Sequence, residues 1–248
     1  MWSEPTYRQT PHRTKMMLRP TVIFDLDGTL IDTAPDLVAT LNALFAREGL
    51  SPVAYDAARN MVGGGARLLI ERGLASQGRA LPASAVERLV EDFIAHYGAH
   101  IADTSRPFDG LEAALDELAS FGCRLAVCTN KLEGPSVRLL DLLGLTHRFA
   151  AICGADTFGV SKPNPEILRG TISRAGGHLD SAVMVGDSGT DVATARSAGI
   201  PVVAVDFGYT EVPATRLEAD RVVSRFADLP TLIFELVAAP AGEFAGNG

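Results

Sequence analysis

Apolar positions along the chain follow two rhythms. Short runs without polar alternation occur at residues 22–24, 124–128, 150–153, 182–186 and 201–205. Such runs predict strands buried on both faces of a parallel sheet. Between them apolar residues recur at helical spacing, as at Leu111, Ala114, Leu115 and Leu118 and again at Leu139, Leu140, Leu142 and Leu143. Gly122 and Gly144 close these two helical runs. Strand–helix alternation of this kind predicts an α/β fold built on a doubly wound parallel sheet.

One long stretch breaks the alternation, because no strand pattern interrupts residues 33–104. Thr33-Ala34-Pro35-Asp36 predicts a helix start, with a hydroxyl cap, an early proline and a first-turn acid. Leu37, Leu41, Leu44 and Phe45 then share one face, and Gly49 ends the run. Ser51-Pro52 predicts a second helix start. Ser84 and Glu87 have the spacing of a capping box ahead of Leu89, Val90, Phe93, Ile94 and Tyr97 on one face. The expectation is an all-helical cap at 33–104, with its own apolar core, inserted into an α/β core formed by 20–32 and 105–239. Residues 1–19 carry Arg8, His12, Arg13, Lys15 and Arg19 against one acid, Glu4, and read as a disordered leader or an early start codon, with Met16 or Met17 as alternative starts. Residues 240–248, mostly small residues and glycine, read as a flexible tail.

Composition narrows the function classes. With 47% apolar and 21% charged residues among 248, the chain can bury a core and is not a disordered protein. A net charge of -8 gives no electrostatic basis for binding nucleic acid or an anionic membrane. No apolar run approaches the ~20 residues of a membrane span. An acidic chain that handles an anion must gather positive charge locally, from a metal, a lysine or helix amino termini. Cys123, Cys128 and Cys153 lack metal-ligand spacing and are expected as buried free thiols in a reducing cytoplasm.

The chemistry collects at strand ends. Asp25 and Asp27 follow the first strand and precede Gly28, which permits a sharp turn. Alone, this reads equally well as turn chemistry, although a ligand crevice in an open α/β sheet lies outside such strand ends. The regular oxygen ligands of a calcium loop are missing. Thr129-Asn130-Lys131 ends the second strand, Lys162 lies in a rigid Ser-Lys-Pro-Asn-Pro loop, and Asp187 to Asp191 follows the fourth. Clustered acids repel unless a divalent cation sits among them, and hard carboxylate ligands without His or Cys point to Mg²⁺. A cation, a fixed lysine and a hydroxyl together describe a site for a phosphoryl group. Within the insertion, Val62-Gly63-Gly64-Gly65-Ala66-Arg67 offers amides and a guanidinium for an anion. A plain helix connection is the other reading, and a nucleotide P-loop is excluded by the missing Lys-Ser/Thr ending.

These residues, in this order and spacing, resemble the four motifs of the haloacid dehalogenase superfamily, over residues 21 to about 237. Asp25-Leu26-Asp27-Gly28-Thr29-Leu30 is similar to the first, Thr129-Asn130 to the second, Lys162 to the third, and Gly186-Asp187-Ser188-Gly189-Thr190-Asp191 to the fourth. The resemblance implies a strand order of 5-4-1-2-3. It implies Asp25 as a nucleophile that forms an aspartyl phosphate and Asp27 as general acid and base. Thr129 and Lys162 would hold phosphate oxygens. Mg²⁺ would be held by Asp25, the Asp27 backbone carbonyl and Asp187, with Asp191 in support. Thr29, Asn130, Lys131, Gly64, Gly65 and Arg67 are the expected substrate-binding positions.

Within the superfamily the chain resembles most the bacterial phosphoglycolate phosphatase branch, through Met61-Val62-Gly63-Gly64-Gly65, Thr129-Asn130-Lys131 and Phe207-Gly208-Tyr209-Thr210. That branch often carries Arg where this chain has Gly189, so a contact from that side chain is absent. The acid at Asp27 separates the chain from dehalogenases and phosphonate hydrolases, and Thr29 from many sugar-phosphate mutases. The function these features imply is Mg²⁺-dependent hydrolysis of a small phosphorylated metabolite, 2-phosphoglycolate first. A sugar phosphate, pyrophosphate or a phosphomutase reaction are the alternatives. A phosphoacceptor signalling domain fits less well, since its acceptor ends the third strand and it has no helical cap. A monomer or homodimer in the cytoplasm is expected, with neither nucleic acid nor membrane as partner.

Overall fold

The computed structural model describes residues 19–210 and 212–238. The expected tail lies outside the described residues, as does all of the expected leader except Arg19, which is exposed and in no helix or strand. The strands are β1 (Thr21–Phe24), β2 (Ile31–Asp32), β3 (Arg106–Pro107), β4 (Arg124–Cys128), β5 (Ala151–Cys153), β6 (Ala182–Gly186), β7 (Val202–Val205) and β8 (Arg221–Val223). The helices are α1 (Ala34–Arg47), α2 (Tyr55–Arg59), α3 (Gly65–Ser76), α4 (Ala83–Ala99), α5 (Leu111–Ser120), α6 (Glu133–Leu142), α7 (Pro165–Arg174), α8 (Gly189–Ala198) and α9 (Leu229–Ala238).

Six strands form one parallel sheet in the order β5-β4-β1-β6-β7-β8. β1 lies inside it, with Phe24 beside Val127 of β4 and Val185 of β6. The unbroken apolar runs are explained by burial on both faces. Val22 and Phe24 pack into a core with Leu115, Leu118 and Phe226, while Ile23 points into the opposite core with Leu168, Ile172 and Ala195. Successive side chains of a strand point to opposite faces, so covering both leaves no polar position. The edge strand β8 is an addition to the five strand runs seen in the sequence.

Residues 33–104 contain α1 to α4 and no strand. Helices α2, α3 and α4 pack on α1, and α3 also packs on α4. Their apolar stripe is not closed on itself. Leu41, Phe45, Leu69, Ile70 and Phe93 belong to the same buried cluster as Phe24, Leu26 and Leu30. The insertion enters and leaves through a small antiparallel ladder, β2 with β3, in which Ile31 lies opposite Pro107 and Asp32 opposite Arg106.

Helix α1 starts where expected, after Thr33 with Pro35 and Asp36 in its first turn, but its cap is corrected, as are two other expected helix starts. Thr33 precedes α1 without a capping bond, because its hydroxyl donates instead to Asp27 at 2.7 Å. Residues 51–54 are irregular, and α2 starts only at Tyr55. Helix α4 follows Pro82 with no side-chain cap, and Glu87 is drawn away to Arg67 at 2.5 Å. Asp36 does more than favour a helix start. Its carboxylate accepts from the backbone amide and hydroxyl of both Thr104 and Ser105, joining the two linkers of the insertion.

All three cysteines are buried free thiols. Cys128 and Cys153 are register partners in β4 and β5, and burial pushes the Cys128 thiol up to about 12. Among the described residues no helix is long and apolar enough to cross a membrane.

Candidate active site

The carboxyl ends of β1, β4 and β6 deliver the polar residues of the site to one edge of the sheet. Asp25 follows β1 directly. Its amide continues the ladder by donating to Val185 at 2.9 Å, and its own carboxylate accepts from the Leu26 amide at 2.7 Å. Gly28 then turns the chain with φ 82°, a conformation that L side chains rarely adopt. A side chain there or at Gly208 would also run into Asp187, so glycine at both positions lets the backbone close around that carboxylate.

Asp25, Asp187 and Asp191 are all buried, and one oxygen from each lies within 4.8 Å of the others. Lys162 reaches this cluster from the loop before α7, where Asn164 caps the helix by accepting from Glu166. Its ammonium lies 2.9 Å from Asp25 and 2.6 Å from Asp191. Asn130 fixes the Lys162 backbone from both sides, accepting from its amide at 2.8 Å and donating to its carbonyl at 3.2 Å. Asp191 is shared: one oxygen takes Lys162, while the other takes the Ser188 amide and hydroxyl in a capping box on α8. Asp187 accepts from the Tyr209 amide at 2.7 Å and from the Thr29 hydroxyl at 3.3 Å.

Burial drives the electrostatics. Loss of solvent raises Asp25 to about 7, against the pull of Lys162 and with a push from Asp191. Burial, then Asp191 and Asp25, raise Asp187 to about 8. For Lys162 burial works against the charge, but Asp191 and Asp25 outweigh it and hold its pKa above the ordinary lysine value. Three carboxylates against one ammonium leave an excess of two negative charges when all are ionised. A divalent cation with hard oxygen ligands fits both that charge and that donor set. Among the described residues, the carboxylates of Asp25, Asp187 and Asp191 are placed to hold it.

Asp27 stands apart from these three. Its carboxylate turns toward Lys131, whose ammonium lies 2.8 and 3.0 Å from the two oxygens, and it also accepts from Thr33. The side chain therefore takes no part in the acid cluster, and only its backbone carbonyl is left as a possible cation ligand. Thr129 is buried beside Lys131, its hydroxyl accepting from the Lys131 amide at 3.2 Å. Thr29, expected at the substrate, is fully buried and spends its hydroxyl on Asp187, so it braces the acid cluster instead.

Asp27, Asn130 and Lys131 form the polar wall of a cavity of about 220 Å³ between the insertion and the loop after β4. Gly64, Gly65 and Arg67 line it from the other side, at the start of α3. The Arg67 guanidinium is half-exposed and paired with Glu87 at 2.5 Å and Glu71 at 3.7 Å, so its charge is already met. The rest of the wall is apolar, with Leu37, Val62, Leu69 and Phe93, and Tyr97 completes it. Two contributors carry no signal of their own in the sequence. Nothing in Phe207-Gly208-Tyr209-Thr210 marks the Tyr209 amide as a partner of Asp187, and Tyr97 reads as one member of an apolar helix face.

The chain is similar to known proteins over most of its length. The family model described as haloacid dehalogenase-like hydrolase matches residues 22–205. A phosphoglycolate phosphatase of Agrobacterium fabrum is 48% identical over 222 residues, covering 90% of this chain and 95% of the relative. One of Mesorhizobium japonicum is 47% identical over 226 residues, covering 91% of this chain and all of the relative (100%). A crystal structure from Haemophilus somnus, described as a predicted phosphoglycolate phosphatase, superposes with a TM-score of 0.80 at 27% identity, covering 88% of this chain and 99% of that one.

Proposed function

The chain belongs to the haloacid dehalogenase-like hydrolase family, and on that premise we propose that it hydrolyses the phosphate monoester 2-phosphoglycolate through an aspartyl phosphate on Asp25. The observation that carries the reading is the pairing of Asp25 with Lys162 at 2.9 Å, at the end of the central strand β1 and within the cluster of Asp187 and Asp191. The relatives named phosphoglycolate phosphatase support the choice of substrate.

In this reading an Asp25 oxygen attacks phosphorus in line with the leaving oxygen. The P–O bond to the glycolate breaks as the bond to Asp25 forms, and Asp27, as general acid, supplies a proton to the departing oxygen. Asp27 then takes a proton from the water that attacks the phosphorus of the acyl phosphate, which frees phosphate and restores Asp25. Lys162 restrains Asp25 and, with the Thr129 hydroxyl, meets the phosphoryl oxygens. Asn130 positions Lys162, and Tyr209 and Thr29 position Asp187. When bound by Asp25, Asp187 and Asp191, Mg²⁺ would neutralise charge on the phosphoryl oxygens. The insertion at 33–104 serves as the cap that closes the cavity and keeps bulk water from the acyl phosphate.

The test is release of phosphate from a panel of small phosphate monoesters with Mg²⁺, ranked by kcat/KM. The expected outcome is 2-phosphoglycolate at the head of the ranking. A sugar phosphate or pyrophosphate ahead of it would overturn the substrate, and no phosphate release from any ester would overturn the chemistry.

A further inference from the structure

Tyr97, on α4 of the insertion, is buried to 4% exposure and lines the cavity, yet among the described residues its hydroxyl proton has no acceptor. An unpaired buried polar group costs about 1–3 kcal/mol, so such a group calls for an occupant. The nearby charge is Lys131, whose ammonium lies over the tyrosine ring, 4.6 Å from its centroid. An ammonium is a donor only. Whatever Lys131 contributes electrostatically, the Tyr97 proton still lacks an acceptor. Burial pushes the phenol up to about 12, which keeps that proton in place.

Lys131 comes from the core, in the loop after β4, and Tyr97 from the insertion. Two donors, one of them cationic, thus meet at a cavity whose lining also holds Asp27, Asn130 and Arg67 among apolar residues. We propose that Lys131 and the Tyr97 hydroxyl together form the subsite for the substrate's carboxylate, with Tyr97 as the specificity-determining residue of the insertion. The inference rests on the reading above, in which a phosphorylated carboxylic acid is the substrate, and deepens it.

The chemistry of the substrate fits the spacing. In 2-phosphoglycolate the carboxylate carbon is only two bonds from the bridging oxygen that Asp27 protonates. A cation that touches Asp27 at 2.8 Å is therefore within reach of the carboxylate as well. The ammonium has three N–H donors, and its two contacts with Asp27 leave one for a ligand. The carboxylate has two oxygens, one for Lys131 and one for the tyrosine hydroxyl. Arg67, the other cation on the cavity, is paired with Glu87 and Glu71 and is not needed for this contact. A ligand of this kind bridges core and insertion, so only an acid-bearing ester joins the two at this point.

The experiment compares 2-phosphoglycolate with ethyl phosphate, an ester of the same length without the carboxylate, in the wild-type protein and in Tyr97→Phe. The substitution keeps the ring packed on Phe93 and removes only an unpaired hydroxyl, so the fold is expected to survive. The ratio of kcat/KM for the two esters should fall about tenfold to a hundredfold in the variant, the worth of one charge-assisted hydrogen bond. The fall should be carried by KM for 2-phosphoglycolate, since the contact is present before and during phosphoryl transfer. An unchanged ratio would overturn the proposal and leave the hydroxyl to a water molecule. A wild-type protein that does not prefer 2-phosphoglycolate over ethyl phosphate would overturn the substrate reading itself, and this subsite with it.

Discussion

The Lys162 ammonium lies 2.9 Å from the Asp25 carboxylate, in a contact where neither side chain is more than 4% exposed. A buried lysine between two acids costs desolvation that its ion pairs only partly return. The arrangement is thus better explained by chemistry than by stability. It holds one oxygen of Asp25 in place, as the proposed role of that carboxylate as nucleophile requires.

Asp25→Asn should abolish turnover, because an amide is a poor nucleophile, and should leave the fold intact, because Lys162 keeps Asp191 as a partner. Steady-state phosphate release and the circular dichroism spectrum check this together. A folded variant that keeps wild-type turnover removes Asp25 from the role of nucleophile.

Stability without a divalent cation should fall as pH rises. The ordinary value of 3.8 becomes about 7 for Asp25 and about 8 for Asp187 in the fold. The folded chain therefore binds more protons than the unfolded one between these limits, and its stability drops as pH rises through the window. Bound Mg²⁺ favours the ionised carboxylates and should reverse the trend. Melting temperatures from pH 5 to 9, in EDTA and in Mg²⁺, should diverge with rising pH; parallel curves would contradict a cation held by these acids.

Asp27→Asn should slow an alkyl phosphate ester by roughly 10²–10⁴, the usual worth of general acid catalysis. A nitrophenyl ester needs little protonation as it leaves and should lose much less. Equal losses on the two esters would remove the general-acid role from Asp27.

Asp36→Ala should lower stability by about 2–4 kcal/mol, since amide and hydroxyl donors of Thr104 and Ser105 lose a buried charged acceptor together. Urea unfolding measures it. A loss no larger than that of an average surface substitution would mean that these donors find water instead.

The sheet was legible in the sequence because burial on both faces removes polar residues from every inner strand, which no turn or loop imitates. Asp25 and Asp187 were legible because acids that end two strands of one sheet gather at a single edge, and Lys162 through the motif that its loop resembles. The ladder of β2 and β3 was not, as a pair of two-residue strands has no periodicity. Thr33 and Glu87 misled for another reason. Local spacing favoured a cap in each case, and a charged partner outside the helix, Lys131-bound Asp27 just upstream for one and Arg67 for the other, won the side chain. Tyr97 hid within an apolar stripe, where a phenol packs like any ring and its hydroxyl carries no sequence signal.

The ladder that pairs Asp32 with Arg106 has a consequence for how the gene could change. Seen from the sheet, the whole insertion begins and ends at neighbouring points, as a hairpin turn would. Closing a loop costs entropy that grows only slowly with its length, and here the ends are already tied. Segments of quite different size could therefore be exchanged between Asp32 and Arg106 without altering the register of the six strands, provided that they too cover Phe24, Leu26 and Leu30. The edge of the sheet that carries Asp25, Asp187 and Asp191 would stay as it is while the surface facing it was replaced.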